Sequence, residues 1–466
     1  VFTLGKVLLT KSKENNILQI HIYLIRKHLQ KKLSATQKKV ASNLYWAMLG
    51  KIVNILSALF VGILVARYLG PEQYGLMNYV ISFVTIFNII ATFGLDDIEI
   101  RELSKQPENR NAIIGTTFRI RLFFATVAFL LIFILLWIFK SDRFTSSMIL
   151  IYAITLFPGC FNVIRNYFTS IIQNEYVVKT EIIRTVIGVL IKISLLFLKA
   201  PLSLFILATV AEMLLVSSGY IISYQKKVGK IKDWRFQKEY VLFFIREAFP
   251  LVLSGAAIII YQRIDQVMIK NMIDNESVGY FATAGKFVDL ILFLPLIITQ
   301  TVTPILVRLY SSDTVRYEQK KQTFFDLLVW TSVIISLIVS LSAYWLISFT
   351  YGKQYLLAVP ALQIMAWKTV GMALSSSSGQ IIILEGIQKW SIIRNIIGML
   401  VCVGFNLLLI PKYGIKGSAW VTIFTVFISG FLAHIFIPTY RPIMKLQIKS
   451  IIFGWKSILH LKSSLK

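Results

Sequence analysis

About twelve stretches of this chain are apolar for long enough to cross a bilayer, and that requirement leaves very few folds open. A helix covers the hydrocarbon core with roughly 20 apolar residues. Such segments fall near 44–66, 78–98, 116–139, 147–172, 177–198, 202–224, 245–270, 278–300, 325–349, 355–384, 389–410 and 415–438. In lipid every backbone N–H and C=O must be satisfied within the protein, so only helices and closed barrels span. No segment carries the alternating pattern of a barrel strand. With 56% hydrophobic and only 15% charged residues, the expected fold is an all-α polytopic membrane protein of about twelve transmembrane helices.

The net charge of +27 points to a membrane rather than to nucleic acid, because the basic residues collect in alternate loops. The arm before the first span carries nine, from Lys6 to Lys39. The central loop carries Lys226, Lys227, Lys230, Lys232, Arg235 and Lys238, the loop after the eighth span Arg308, Arg316, Lys320 and Lys321, and the tail Arg441, Lys445, Lys449, Lys456, Lys462 and Lys466. By the positive-inside rule both termini are expected in the cytoplasm, which requires an even number of spans. Residues 17–26 are too polar for a span and lack a small-residue cleavage site, so an interfacial helix or a disordered basic arm is expected there rather than a signal peptide.

One phrase occurs twice. Pro71-Glu72-Gln73-Tyr74-Gly75 follows the first apolar run, and Asn275-Glu276-Ser277-Val278-Gly279 follows a similar run in the second half, with Glu72 over Glu276 and Gly75 over Gly279. Duplication of this kind is the mark of carriers built from two related halves. The expected organisation is a basic arm (1–43), a first lobe of six spans (44–224), a cytoplasmic linker (225–240), a second lobe of six (241–440) and a basic tail (441–466). Helix capping or turning is the first explanation for Glu72 and Glu276, and gating the second.

Charged and polar residues inside the spans are the candidates for function. In the first span Ala47, Gly50, Lys51, Asn54, Ser57 and Ala58 share a face at helical spacing. Small residues on such a face allow close packing. Lys51 fits that reading poorly, since a charge near a helix centre costs about 2.5–3.5 kcal/mol on insertion scales. Lining of a central cavity accounts for it better. Pro250, Ser254, Ala257, Tyr261 and Asp265 repeat the pattern in the seventh span, next to Arg263. Lys286 and Asp289 are one turn apart and within reach of each other. Asp96, Asp97 and Glu99 are expected to meet Arg101 in an exposed or lobe-closing cluster. Cys160 and Cys402 lie within spans and have neither disulfide nor metal-ligand spacing.

Several of these residues carry a family resemblance. Asn43-Leu44-Tyr45-Trp46, the loop from Ala66 to Gly75, Gly94-Leu95 to Arg101-Glu102, Arg263-Ile264-Asp265-Gln266 leading into Val278-Gly279-Tyr280, and Lys412-Tyr413-Gly414-Ile415-Lys416-Gly417-Ser418-Ala419 resemble the Wzx-type polysaccharide flippases. These belong to the MOP (multidrug/oligosaccharidyl-lipid/polysaccharide) exporter superfamily, and the resemblance covers roughly residues 38–440. It implies a V-shaped, MATE-like pair of pseudo-symmetric six-helix lobes around a cationic cavity. It also implies a flippase that moves an undecaprenyl-pyrophosphate-linked oligosaccharide to the outer leaflet for O-antigen, capsule or exopolysaccharide synthesis. The location implied is the cytoplasmic membrane, alongside polysaccharide polymerase and assembly proteins.

The residues support an anionic substrate in their own right, because intramembrane cations predominate: Lys51, Arg165, Lys192, Arg263, Lys286 and Lys368, against Glu212, Asp265 and Asp289. A pyrophosphate can be held there by charge-assisted hydrogen bonds. Lys51 and Arg263 lead the candidates, on the first helices of the two lobes, followed by Lys368. For Lys192 and Arg165 snorkelling to an interface is the competing role. Asn54, Ser57 and Tyr261 are expected to line the cavity. Asp265, Glu212 and Asp289 are candidates either for coupling a proton or sodium ion or for structural pairing, and no other cofactor is implied. A multidrug antiporter of the MATE type shares the plan but handles cations, and a lipid II flippase carries two further spans. A membrane glycosyltransferase needs a catalytic acidic motif on a sizeable loop, and HExxH and P-loop motifs are missing as well. The chain is therefore expected to be a carrier and not an enzyme.

Overall fold

The computed structural model describes residues 35–140 and 142–459, and every regular element among them is helical. The basic segment expected before residue 35 and the end of the expected tail lie outside the described residues. In the first half run α1 (Ala35–Thr92), α2 (Asp96–Lys105), α3 (Arg110–Ile138), α4 (Arg143–Ala153), α5 (Asn162–Ser170), α6 (Asn174–Phe197) and α7 (Leu202–Lys227). The second half holds α8 (Lys238–Met272), α9 (Asn275–Ile291), α10 (Phe293–Ser312), α11 (Thr314–Thr350), α12 (Val359–Met365), α13 (Lys368–Leu384) and α14 (Ser391–Phe427). A π-helical turn (Ile428–Leu432) leads to α15 (Ala433–Phe436), and α16 (Arg441–Phe453) and α17 (Trp455–Leu459) are the last described elements.

Eight described helical stretches are long and apolar enough to cross a membrane, or nine if the bent pair Lys353–Met365 and Lys368–Leu384 is one span. The sequence expectation of about twelve differs for two physical reasons. It separates the halves of α1 and α14, which run on through glycine kinks at Gly70 (φ 70°) and Gly414 (φ 59°). It also counts α6, which is not among the eight and which carries Arg184 and Lys192 inside its apolar run. At Gly70 the left-handed backbone suits glycine, and Pro71, with no N–H to lose, starts the second half of α1. Elsewhere short side chains set the helix starts: Asp142, Asp274 and Asp313 accept from the backbone N–H of Thr145, Ser277 and Arg316 at 2.8, 2.7 and 3.0 Å.

The duplicated phrase joins the two halves. A Cβ on Gly75 would stand 1.7 Å from the carbonyl oxygen of Asn275, and one on Gly279 would stand 2.1 Å from that of Pro71. The two helix starts therefore touch backbone to backbone, as small residues permit between helices in lipid. Around them Tyr355 packs edge-on against Tyr74, Tyr280 and Tyr351, with centroids 6.3, 6.2 and 5.4 Å apart. Its hydroxyl donates to the Ala66 carbonyl at 2.8 Å.

Near the start of α2 the structure corrects one pairing. Asp96 and Glu99 do not meet Arg101; they hold Arg121 of α3 at 2.8 and 2.7 Å, with Asn166 donating to both carboxylates. Arg121 and Glu99 are fully buried, so the ion pair is enclosed by its hydrogen-bond partners. Arg101 instead bonds Glu102 at 2.7 Å and reaches Glu247 of α8 at 2.9 Å, linking the halves at the end away from the tyrosines. The linker is strapped to the first half: the Arg235 N–H donates to the Asn111 carbonyl, and Trp234 packs against Phe118 and Tyr224.

Gly75→Ala or Gly279→Ala is expected to push the two halves apart at this contact, with an overpacking cost of about 1–3 kcal/mol. Distances between spin labels at the exposed positions of Glu72 and Glu276 should lengthen and broaden; an unchanged distribution would show that the contact does not hold the halves together.

Candidate binding cavity

Two adjoining cavities lie between the halves, and Asn78 and Lys286 belong to the walls of both. The larger, about 310 Å³, takes its wall from the first half: the α1 stripe Asn54, Ser57, Ala58, Val61, Gly62 and Val65, with Arg184 and Lys192 of α6 and Glu212 of α7. That stripe recurs every three or four residues because one helix face must present it. The smaller cavity, about 150 Å³, is walled by the second half, including Tyr261, Arg263, Asp265, Asp289 and Lys368.

The two cavities treat their charges differently. In the larger, Glu212 is buried and binds Lys192 at 2.6 Å and Arg184 at 3.5 Å. Arg184 also donates to Asn54 at 2.9 Å, and the Thr185 hydroxyl donates to the same oxygen at 2.5 Å. Gly188 makes the arrangement fit, since a Cβ there would lie 2.3 Å from a Glu212 carboxylate oxygen. In the smaller cavity, the buried Asp265 carboxylate accepts from the Asn406 amide at 2.6 Å and from the Cys402 thiol at 3.3 Å. Arg263, Lys286 and Lys368 make no salt bridge among the described residues. The pairing of Lys286 with Asp289 expected from their spacing is not formed, because Asp289 is exposed while Lys286 turns inward between the cavities.

Together the walls hold five cations (Arg184, Lys192, Arg263, Lys286 and Lys368) and three carboxylates (Glu212, Asp265 and Asp289), a surplus of two positive charges. In a partly enclosed wall such charges act on an anion more strongly than they would in bulk water. Lys51 is not in either wall: it is exposed, one turn before Asn54 on the same α1 stripe. Arg165 is also outside them, half exposed and 3.8 Å from Glu181. Arg184, Asn78 and Thr185 join the site without having been singled out from the sequence. For Arg184 a signal existed, since Arg184, Gly188 and Lys192 recur every four residues along one face of α6.

Tyr74 belongs to the wall of the larger cavity as well as to the tyrosine cluster, so that end is closed by packed rings and the glycine contact. At the other end the halves meet through the half-exposed Arg101–Glu247 bridge and through the start of α8, where Phe244 and Ala248 are buried among Leu95, Ile98 and Ile113 and a Cβ on Gly94 would stand 3.1 Å from the Val252 nitrogen. Between the two, Ser82 donates to Gln266 at 2.8 Å across the halves.

Comparison with known proteins agrees with this architecture. A family described as polysaccharide biosynthesis protein matches residues 40–310, more than half of the chain, and a second, MatE, matches residues 250–408. An uncharacterized membrane protein of Methanocaldococcus jannaschii is 24% identical over 431 residues, 84% of this chain and 82% of that protein. Among solved structures, the inward-facing conformation of a multidrug resistance MATE family transporter of the MOP superfamily superposes with a TM-score of 0.65 at 17% identity, over 85% of this chain and 96% of that one. Lipid II flippase MurJ in an inward closed conformation gives 0.62 at 16% identity, over 89% and 93%. These likenesses establish the fold.

Glu212→Gln leaves Lys192 and Arg184 without their counter-charge in a largely enclosed wall. A loss of up to about 3 kcal/mol is expected, read as a lower thermal unfolding midpoint in detergent; a midpoint equal to that of the parent protein would show the triad to be dispensable.

Proposed function

The chain belongs to the polysaccharide biosynthesis protein family, and on that premise we propose that it is a flippase for a polyprenyl-pyrophosphate-linked oligosaccharide. The observation that carries the reading is the cationic half of the cavity, where Arg263, Lys286 and Lys368 have no salt-bridge partner among the described residues. A pyrophosphate brings concentrated negative charge on several acceptor oxygens, and guanidinium and ammonium groups meet it with charge-assisted hydrogen bonds. The polyprenyl chain needs no pocket, because it stays in the bilayer. The other half offers amides and hydroxyls from Asn54, Ser57, Asn78, Thr185 and Thr209, groups suited to sugar hydroxyls.

Translocation in this reading requires no bond chemistry. The glycan is shielded from hydrocarbon while the halves rock about the cavity and open it to one leaflet and then the other. With the tyrosine end facing outward, as the positive-inside pattern suggests, the present form is closed to the outside. Loading from the cytoplasm then requires the opposite end to part, the Arg101–Glu247 bridge together with the packing of Phe244 and Ala248 on the first half. Asp265, hydrogen-bonded by Asn406 and Cys402 beside these cations, is the carboxylate proposed to take a coupling proton or sodium ion. The product would supply surface polysaccharide assembly in the cytoplasmic membrane, with a polymerase acting next. The surplus of positive charge argues against a MATE-type antiporter of cations. A lipid II substrate shares the pyrophosphate and is distinguished by its glycan.

Arg263→Ala and Lys286→Ala are each expected to lower surface glycan at least tenfold, about the 1.4 kcal/mol that a single charge-assisted contact supplies. The lipid-linked oligosaccharide should accumulate on the cytoplasmic face while the amount of protein in the membrane stays constant. Lys51→Ala, at the approach to the cavity, should give a smaller loss. Wild-type export by both cavity variants would remove the substrate assignment. In proteoliposomes, collapsing the proton and sodium gradients together should abolish net transport; transport at an unchanged rate would eliminate ion coupling at Asp265.

A further inference from the structure

After the last long helix the chain does not trail away. α16 turns one face to the protein: Ile443, Gln447, Ser450 and then Gly454 are buried, recurring every three or four residues. Gln447 is the centre of this anchorage. Its amide donates to Ser378 at 2.7 Å and to the carbonyls of Gly430, in the π-helical turn, and Leu374, at 2.8 and 3.1 Å. Its oxygen lies 3.0 Å from His434. Further along, the Trp330 indole donates to the Ser450 carbonyl at 2.9 Å, and Ser457 donates to Asp326 at 2.6 Å. The pair α16–α17 is thus a fixed part of the second lobe, held on α11 and α13.

The outward surface of this pair has two zones. Lys445, Lys449 and Lys456 are exposed and fall on one line opposite the buried face, and none of them makes a salt bridge among the described residues. Beside that line Ile448, Ile452 and Trp455 are exposed at 38, 53 and 43%, which is too much apolar surface for a helix meant to face water. Phe453 is exposed on the other flank at 53%, with the Lys456 ammonium 5.6 Å from its ring. The position in the chain matters as much as the pattern. Only Ile437 and the turn Pro438–Tyr440 separate α16 from the helix Gln388–Phe436, which is apolar enough to span the bilayer. α16 must then begin where hydrocarbon gives way to headgroups.

We propose that α16 and α17 form a preformed, membrane-surface binding site for anionic phospholipid headgroups. Ile448, Ile452 and Trp455 enter the acyl boundary while the lysine line meets the phosphates. An apolar flank combined with an unpaired lysine edge is the pattern of helices that lie in the interface plane. Charge complementarity selects an anionic surface over a zwitterionic one. The occupant is a lipid and not a protein partner because the strip runs along the boundary of the bilayer, where lipid is the neighbour already present. Because the anchorage runs through Gln447 to the π-helical turn, lipid held here fixes the second lobe to the membrane surface, leaving the first lobe free to rock against it. This assignment does not depend on which substrate the cavity carries.

The full-length protein in detergent, titrated with phosphatidylglycerol against phosphatidylcholine and read by native mass spectrometry, tests it. Each lysine at an anionic surface is worth about fivefold in affinity, so Lys445→Gln, Lys449→Gln and Lys456→Gln combined should weaken phosphatidylglycerol binding on the order of a hundredfold. Those three side chains are exposed and make no salt bridge among the described residues, so folding is expected to survive. A second readout uses a spin label at Ile452→Cys, the native Cys160 and Cys402 being buried. In phosphatidylcholine–phosphatidylglycerol vesicles the label should be accessible to oxygen and shielded from aqueous nickel, more so than in phosphatidylcholine alone. Unchanged lipid binding in the triple variant would overturn the proposal. So would a label open to water in both vesicles, which would leave the face to a protein partner, or displacement of the lipid by equimolar inorganic phosphate, which would mark a plain anion site.

Discussion

The structure depends on one close approach. Gly75 and Gly279 each face a carbonyl oxygen of the opposite half at a distance no side chain would tolerate. In water, burial of apolar surface would draw two helical bundles together, but lipid tails are as apolar as leucine and supply no such drive. Contact must come from backbones close enough for dispersion and weak hydrogen bonding, and a duplicated glycine at the start of two equivalent helices provides it. The tyrosine cluster around Tyr355 then packs onto a junction that the glycines have already set.

Within the cavity between the halves, electrostatics sets the character of each wall. Glu212 takes up the charge of Lys192 and Arg184, and Gly188 gives its carboxylate the room to do so. On the opposite wall the buried Asp265 accepts from an amide and a thiol and makes no salt bridge with the neighbouring cations among the described residues. The net positive character of the cavity comes from five cations against three carboxylates, and the asymmetry decides which of them stand without a salt bridge. A fully paired cavity would be more stable and would have nothing to offer an anion; unpaired intramembrane cations are costly and so point to function. Both ends are packed: tyrosines close one, and at the other Phe244 and Ala248 are buried against the first half beside the Arg101–Glu247 bridge.

Much of this was legible in the residues. The apolar segments imposed a helical membrane fold, since backbone groups in lipid must pair within the chain. The duplicated phrase indicated two lobes, and the α1 stripe from Asn54 to Ala58 was readable as a cavity face from helical periodicity alone. Arg184 was within reach of the same reasoning through its spacing from Gly188 and Lys192. Other partners were not, because they come from distant helices. Asp96 and Glu99 have Arg101 close by in sequence, yet they bind Arg121, whose side chain the packing of α3 against α2 brings into the interior. The basic stretch after residue 440 read as a tail, while Gln447, unremarkable in sequence, anchors it as a helix through four contacts on three elements.

What the sequence determined by itself is therefore what depends on local pattern: helix against strand, the number of halves, the sign of the charge inside the membrane. Tertiary structure alone decided which charges are neutralised. Lys286 and Asp289 stand one turn apart, a spacing that allows a pair, but whether they meet depends on where the neighbouring helices turn each side chain. Here Lys286 points between the two cavities and Asp289 is exposed. The reason is physical: helical periodicity assigns a residue to a face, but the partner on that face belongs to another helix, and long-range packing chooses it.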